Sequence, residues 1–158
     1  RLLSVLDNNT SIQRENNLKN FLDKDLINIE QDFAMKNTIL DNMTTELIEK
    51  QKVTSEYVLS VYKRETMGNT FLEGGIAIPH GESQYITKPT ISVTKLANPI
   101  LWENNQYVDL IFLLALTENN SKEIEDLYTI LYKKNILESL KAANSADEIY
   151  TILTDITL

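Results

Sequence analysis

The chain of 158 residues has no cysteine and only one histidine, His80. Without cysteine there is no disulfide, no zinc–thiolate site and no thiol nucleophile. With one imidazole, a transition metal would have to be held by carboxylates, so no metal site is expected. Glycine and proline are scarce, at four and three residues, which argues against long flexible stretches. The longest fully apolar run, Leu110 to Leu116, is far too short to cross a bilayer. No charged-then-apolar leader opens the chain, so membrane insertion is not expected. Basic residues are outnumbered 15 to 23, giving a net charge of −8. That balance repels nucleic-acid phosphates and acidic membranes, so direct nucleic-acid binding is not expected either. The P-loop, the Gly-x-Gly-x-x-Gly fingerprint and the Gly-x-Ser-x-Gly elbow are all absent. No cofactor is implied, and the composition fits a cytoplasmic protein.

What is present suits one compact domain. The chain is 42% apolar and 24% charged. Residues 1–20 are polar and asparagine-rich and read as a linker or a loosely docked arm; the first residue is Arg1, not Met. Asp25 to Phe33 alternates as a short strand. Ile39, Leu40, Met43, Leu47 and Ile48 form one face of a helix over 36–51. Thr54-Ser55-Glu56 opens a second helix, with Tyr57, Val58, Val61 and Tyr62 as its buried stripe and Arg64 near its end. Ile76–Ile78, Thr90–Leu96 and Val108–Leu116 read as strands, the last of them central. Turns are expected at Asn98-Pro99 and at Glu103-Asn104-Asn105. The C-terminal third is helical, with capping-box patterns at Asn120, Asn135 and Ser145. The fold class expected is α/β, a single domain with a central mixed β-sheet flanked by helices on both faces.

His80 sits in Gly74-Gly75-Ile76-Ala77-Ile78-Pro79-His80-Gly81, which holds three of the chain's four glycine residues. Pro79 fixes its own φ and extends Ile78, and Gly81 allows close approach. An imidazole is thus placed at a strand tip with little freedom, as functional side chains are. It can shuttle a proton or accept a group as a nucleophile. Group acceptance needs cationic donors. Arg64 can serve with its planar fork, or it can simply pair with Glu65 or another acid on the surface. Backbone N–H groups around Gly81 can add more.

These residues resemble a known family. Gly75-Ile76-Ala77-Ile78-Pro79-His80-Gly81, with Arg64-Glu65 upstream, is similar to the EIIA domains of the fructose/mannitol class of the bacterial phosphoenolpyruvate:sugar phosphotransferase system. Supporting matches are a first strand at Asp25-Leu26-Ile27, Thr70 before the histidine segment and the strand at Lys88-Pro89-Thr90-Ile91-Ser92-Val93. The element Pro99-Ile100-Leu101-Trp102 and the strand Val108 to Leu116 continue the pattern. The resemblance covers residues 22–158 and implies an EIIA-like domain over 21–158, after the linker. It implies that His80 takes a phosphoryl group from the carrier HPr, with Arg64 stabilising the phosphate. That is phosphohistidine phosphotransferase chemistry, with Glu65, Thr70, Gly81 and Glu123 as pocket residues. It also implies onward transfer to an EIIB domain in transporters. In antiterminator-type regulators it implies contact with upstream regulator domains instead.

Two departures from the family pattern matter. Some transporter members carry a second histidine where this chain has Glu123. That carboxylate either hydrogen-bonds His80 or completes the Asn120 capping box. The asparagine-rich segment 1–20 resembles a linker from an upstream domain. Both departures favour a sugar-responsive transcription regulator over a transporter. A degenerate interaction domain that no longer takes phosphate is the third reading.

Overall fold

The apolar run that lacks alternation becomes the middle strand of the sheet, covered on both faces. The computed structural model describes residues 15–158. Among these, the strands are β1 (Leu22–Gln31), β2 (Phe71–Leu72), β3 (Ile76–Ala77), β4 (Thr90–Glu103) and β5 (Gln106–Ala115). They lie in the order β1-β4-β5-β3-β2. β4 and β5 form an antiparallel hairpin, β1 and β3 join its two sides in parallel, and β2 folds back on β3. The helices are α1 (Lys36–Glu49), α2 (Tyr57–Thr66), α3 (Ser121–Leu131), α4 (Lys134–Ala142) and α5 (Ala146–Asp155). α1 and α2 cover one face of the sheet, and α3 to α5 cover the other. No helix among the described residues is long and apolar enough to cross a membrane.

The two-residue period of β5 divides its side chains between two cores. Leu110, Phe112 and Leu114 pack with Leu127, Ile130 and Ile149. Ile111, Leu113 and Ala115 pack with Ile39, Leu40, Met43 and Val61. This is the expected mixed sheet between two helical layers.

Several local expectations change. The Asn98-Pro99 turn is absent, because β4 runs through it to Glu103 with a register shift between Lys95 and Ile100. Proline is tolerated at such an irregularity, where its missing N–H breaks no ladder bond. The turn at Asn104-Asn105 is present, with φ of 47° and 63° at the two residues, the left-handed pair of a tight hairpin. Ser145 caps α5, accepting the Glu148 N–H at 3.1 Å. Asn120 makes no side-chain cap for α3; it instead closes a box with Thr117 one turn earlier. Asn135 lies inside α4, which begins at Lys134. The buried stripe of α2 is Tyr57, Ser60, Val61 and Glu65, while Val58 and Tyr62 are half-buried.

Of the expected arm, residues 1–14 lie outside the described residues. Residues 15–20 dock on α5: Leu18 is fully buried, and the Asn16 amide donates to the carbonyls of Leu153 and Ile156.

Candidate active site

β3 ends at Ala77, but the chain continues along the edge of β5. The Leu114 N–H donates to the Pro79 carbonyl at 2.9 Å, and His80 lies parallel to Leu114. One residue earlier, the Ile78 N–H donates to the Thr70 carbonyl at 3.0 Å. On the other side of His80, the Gly81 N–H donates to the Tyr57 hydroxyl at 3.1 Å. That hydroxyl in turn donates to the Leu114 carbonyl at 3.0 Å. The peptides on both sides of His80 are therefore anchored to one residue of the central strand. Tyr57 is fully buried, and burial raises its phenol well above its ordinary range despite the Gly81 N–H, so it remains a neutral donor.

Gly81 has no room for a side chain. A Cβ there would lie 2.3 Å from Ser60 Oγ and 2.9 Å from Tyr57 Cε1. The Ser60 hydroxyl already accepts the Glu82 N–H at 3.0 Å and donates to the Tyr57 carbonyl at 2.7 Å. The backbone donors beside His80, expected to be available to an anion, are thus engaged by α2.

The imidazole is half-buried, with Nδ1 3.1 Å from the Ile78 carbonyl oxygen. A carbonyl only accepts, so this contact assigns the proton to Nδ1 and leaves the lone pair on Nε2. The ring lines two adjoining hollows. One, of about 350 Å³, is formed by Ser60, Lys63 and Arg64 of α2 and Met67 just after it, with His80, Gly81 and Glu82. The other, of about 220 Å³, is apolar: Leu114, Leu116, Ile124 and Tyr128. Tyr128 is raised by burial and by neighbouring Tyr132, with the Arg64 charge pulling the other way.

Arg64 is half-buried and makes no ion pair among the described residues, so the surface-pair alternative is not what is found. Its Nη1 donates to the Gly68 carbonyl at 2.6 Å, capping its own helix. Gly68 has φ of 149°, the left-handed side that favours glycine, and there the chain leaves α2. Among the described residues this is the guanidinium's one hydrogen bond, and Arg64 lines the cleft.

The other expected pocket residues lie elsewhere. Glu65 is buried behind the cleft, where it accepts from Thr70 Oγ1 and pairs with Lys36 at 2.8 Å. Thr70 reaches His80 only through its carbonyl bond to Ile78. Glu123 is buried in the first turn of α3 but lines neither hollow; Ile124 and Tyr128 are the α3 residues beside the ring. Tyr57, Ser60, Lys63 and Met67 were not anticipated in the sequence as site residues. Their signal was spacing: 60, 63, 64 and 67 lie on one face of a helix that includes Arg64. A buried tyrosine hydroxyl also requires a partner.

The chain matches the family model described as "Phosphoenolpyruvate-dependent sugar phosphotransferase system, EIIA 2" over residues 20–156. The chain belongs to this family. This EIIA domain is 31% identical over 156 residues to the multiphosphoryl transfer protein 1 of Escherichia coli, covering 94% of this chain and 19% of that protein. It is 29% identical over 106 residues to the transcriptional regulator ManR of Bacillus subtilis, covering 67% of this chain and 16% of the regulator. The chain therefore spans about a fifth of the length of these two curated relatives. Among solved structures, the nitrogen regulatory protein IIA-Ntr of Neisseria meningitidis superposes with a TM-score of 0.76 at 27% identity, over 86% of this chain and 98% of that one.

Proposed function

We propose that His80 Nε2 accepts a phosphoryl group from the phosphohistidine of HPr, and that this EIIA domain serves a sugar-responsive transcription regulator. The observation that carries the reading is the contact of Nδ1 with the Ile78 carbonyl, in a ring edged by a cleft that contains Arg64 and Lys63. In the step, the Nε2 lone pair forms the new N–P bond as the donor's N–P bond breaks and its electron pair returns to the donor imidazole. Phosphorylated His80 keeps its Nδ1 proton, and the positive charge gained by the ring strengthens the bond to the Ile78 carbonyl. Arg64 and Lys63 offset the charge of the transferred group, since the nearby backbone N–H groups are engaged.

The regulator context is supported by the similarity to ManR and by the absence of a second histidine. The similarity to a multiphosphoryl transfer protein favours a second reading, a carrier that passes the group to EIIB. The test is incubation with enzyme I, HPr and labelled phosphoenolpyruvate, followed by candidate EIIB domains. Label on His80 that stays there supports the regulator, and rapid loss to EIIB supports the carrier. No label would defeat both and leave an interaction domain that takes no phosphate.

A further inference from the structure

On the same rim of the sheet as His80 lies another cavity, of about 340 Å³, at the starts of β1 and β4. Pairing places it there: His80 lies against Leu114, Thr90 pairs with Ala115, and Leu22 pairs with Ile91. Lys24, Lys52 and Lys88 converge on this cavity from three separate segments, with Asp23 as the acid among its lining residues. In a chain of net charge −8, such a concentration of cations goes against the overall balance.

The lysines are not equally paired. Lys24 is engaged with Asp147 at 3.0 Å and lies over the Tyr150 ring. The Lys52 side chain is only 13% exposed, yet its carboxylate partner, Asp23, stands 4.0 Å away and is shared with Lys50 at 3.9 Å. Lys88 makes no ion pair among the described residues. Both loops are held in place, because the N–H groups of Thr87 and Lys88 donate to the Lys52 carbonyl at 2.8 and 3.0 Å. A mostly buried ammonium whose counter-charge among the described residues stands at 4.0 Å gains from a closer anion.

We propose that this cavity binds a small phosphate monoester, its dianionic group held by Lys52 and Lys88. A concave site suits a small molecule rather than a protein face. Its volume equals that of roughly ten waters, more than one phosphate group needs. Thr90 and Tyr150 are among the other residues that line it.

The test is a titration followed by amide NMR, using inorganic phosphate, glucose 6-phosphate and glucose as probes. No phosphotransfer enzyme is present, so the result does not depend on the reading of His80. Saturable shifts at Lys24, Lys52, Lys88 and Thr90 are expected with both phosphate probes, tighter for glucose 6-phosphate and absent for glucose. Lys52→Gln and Lys88→Gln should each weaken binding by about tenfold or more. Lys88 is exposed, so its variant folds even if Lys52→Gln does not. The proposal is overturned by any of four results: no saturable shift, shifts confined to the His80 cleft, undiminished affinity in Lys88→Gln, or saturation by polyglutamate but not by glucose 6-phosphate.

Discussion

The chemistry proposed for His80 depends on where one proton sits, and a backbone contact, Nδ1 on the Ile78 carbonyl, bears on this rather than a second titrating side chain. The Ile78 carbonyl takes one of the two roles that the sequence left open for Glu123. Tyr57 is the residue that ties this geometry to α2. Tyr57→Phe leaves the Gly81 N–H and the Leu114 carbonyl without their shared partner. It should cost about 1–3 kcal/mol in denaturant unfolding and slow phosphorylation of the variant that remains folded. Full stability together with unchanged labelling would show that water replaces the hydroxyl at no loss. Arg64→Ala removes a charge from the cleft but no core contact. It should fold normally and take up phosphate more slowly by on the order of a hundredfold in a single-turnover assay. Normal uptake would reduce Arg64 to the cap of its own helix.

At the level of elements, α1 carries a testable electrostatic defect. Glu46 faces β1, and its carboxylate accepts from the Asn28 amide at 2.8 Å. Burial raises its pKa above the usual 4.5, the Asn28 bond lowers it, Glu49 raises it and Lys50 lowers it, with a net rise. A raised carboxylate binds its proton more tightly in the fold than in the unfolded chain. Its favourable contribution is therefore complete below pH 4.5 and is lost as pH rises through the folded value. Glu46→Gln keeps the acceptor and removes the charge, so it should raise Tm by about 1–3 °C at neutral pH. The gain should fade on acidification below the carboxylate range. A gain that persists in acid would mean the effect is not electrostatic. The elements themselves were legible in the sequence where burial sets the pattern, as in the helix read over 36–51 and found at Lys36–Glu49, and the central strand. They were illegible where tertiary pairing overrides local signals. Asn98-Pro99 has turn chemistry, yet the strand carries through it as an irregularity between Lys95 and Ile100, which pair with β5; Asn120 does stand at the N-cap of α3, yet its side chain closes a box with Thr117, and Asn135 lies inside α4. For the same reason the sequence singled out His80 and Arg64 as candidates but not Tyr57, whose contacts exist only once α2 packs against the end of β5.

As a whole, the described residues form a three-layer frame that presents one half-buried imidazole at the rim of a mixed sheet. Its net charge of −8 favours association with a basic donor. If HPr offers a basic face, as the family resemblance implies, the second-order rate of transfer should fall about tenfold or more between low salt and 1 M. Over that range the screening length contracts to roughly 3 Å. A rate indifferent to salt would mean that docking relies on the apolar surface around Met67 and Tyr132, both well exposed. The central claim is narrower: the phosphoryl group goes to one nitrogen of one residue. Phosphorus and nitrogen NMR of the ¹⁵N-labelled protein, after treatment with enzyme I, HPr and phosphoenolpyruvate, reads this directly. The account predicts a single phosphohistidine at His80 bonded through Nε2, with Nδ1 still protonated. Phosphate on Nδ1, or a protein that takes none, would contradict it.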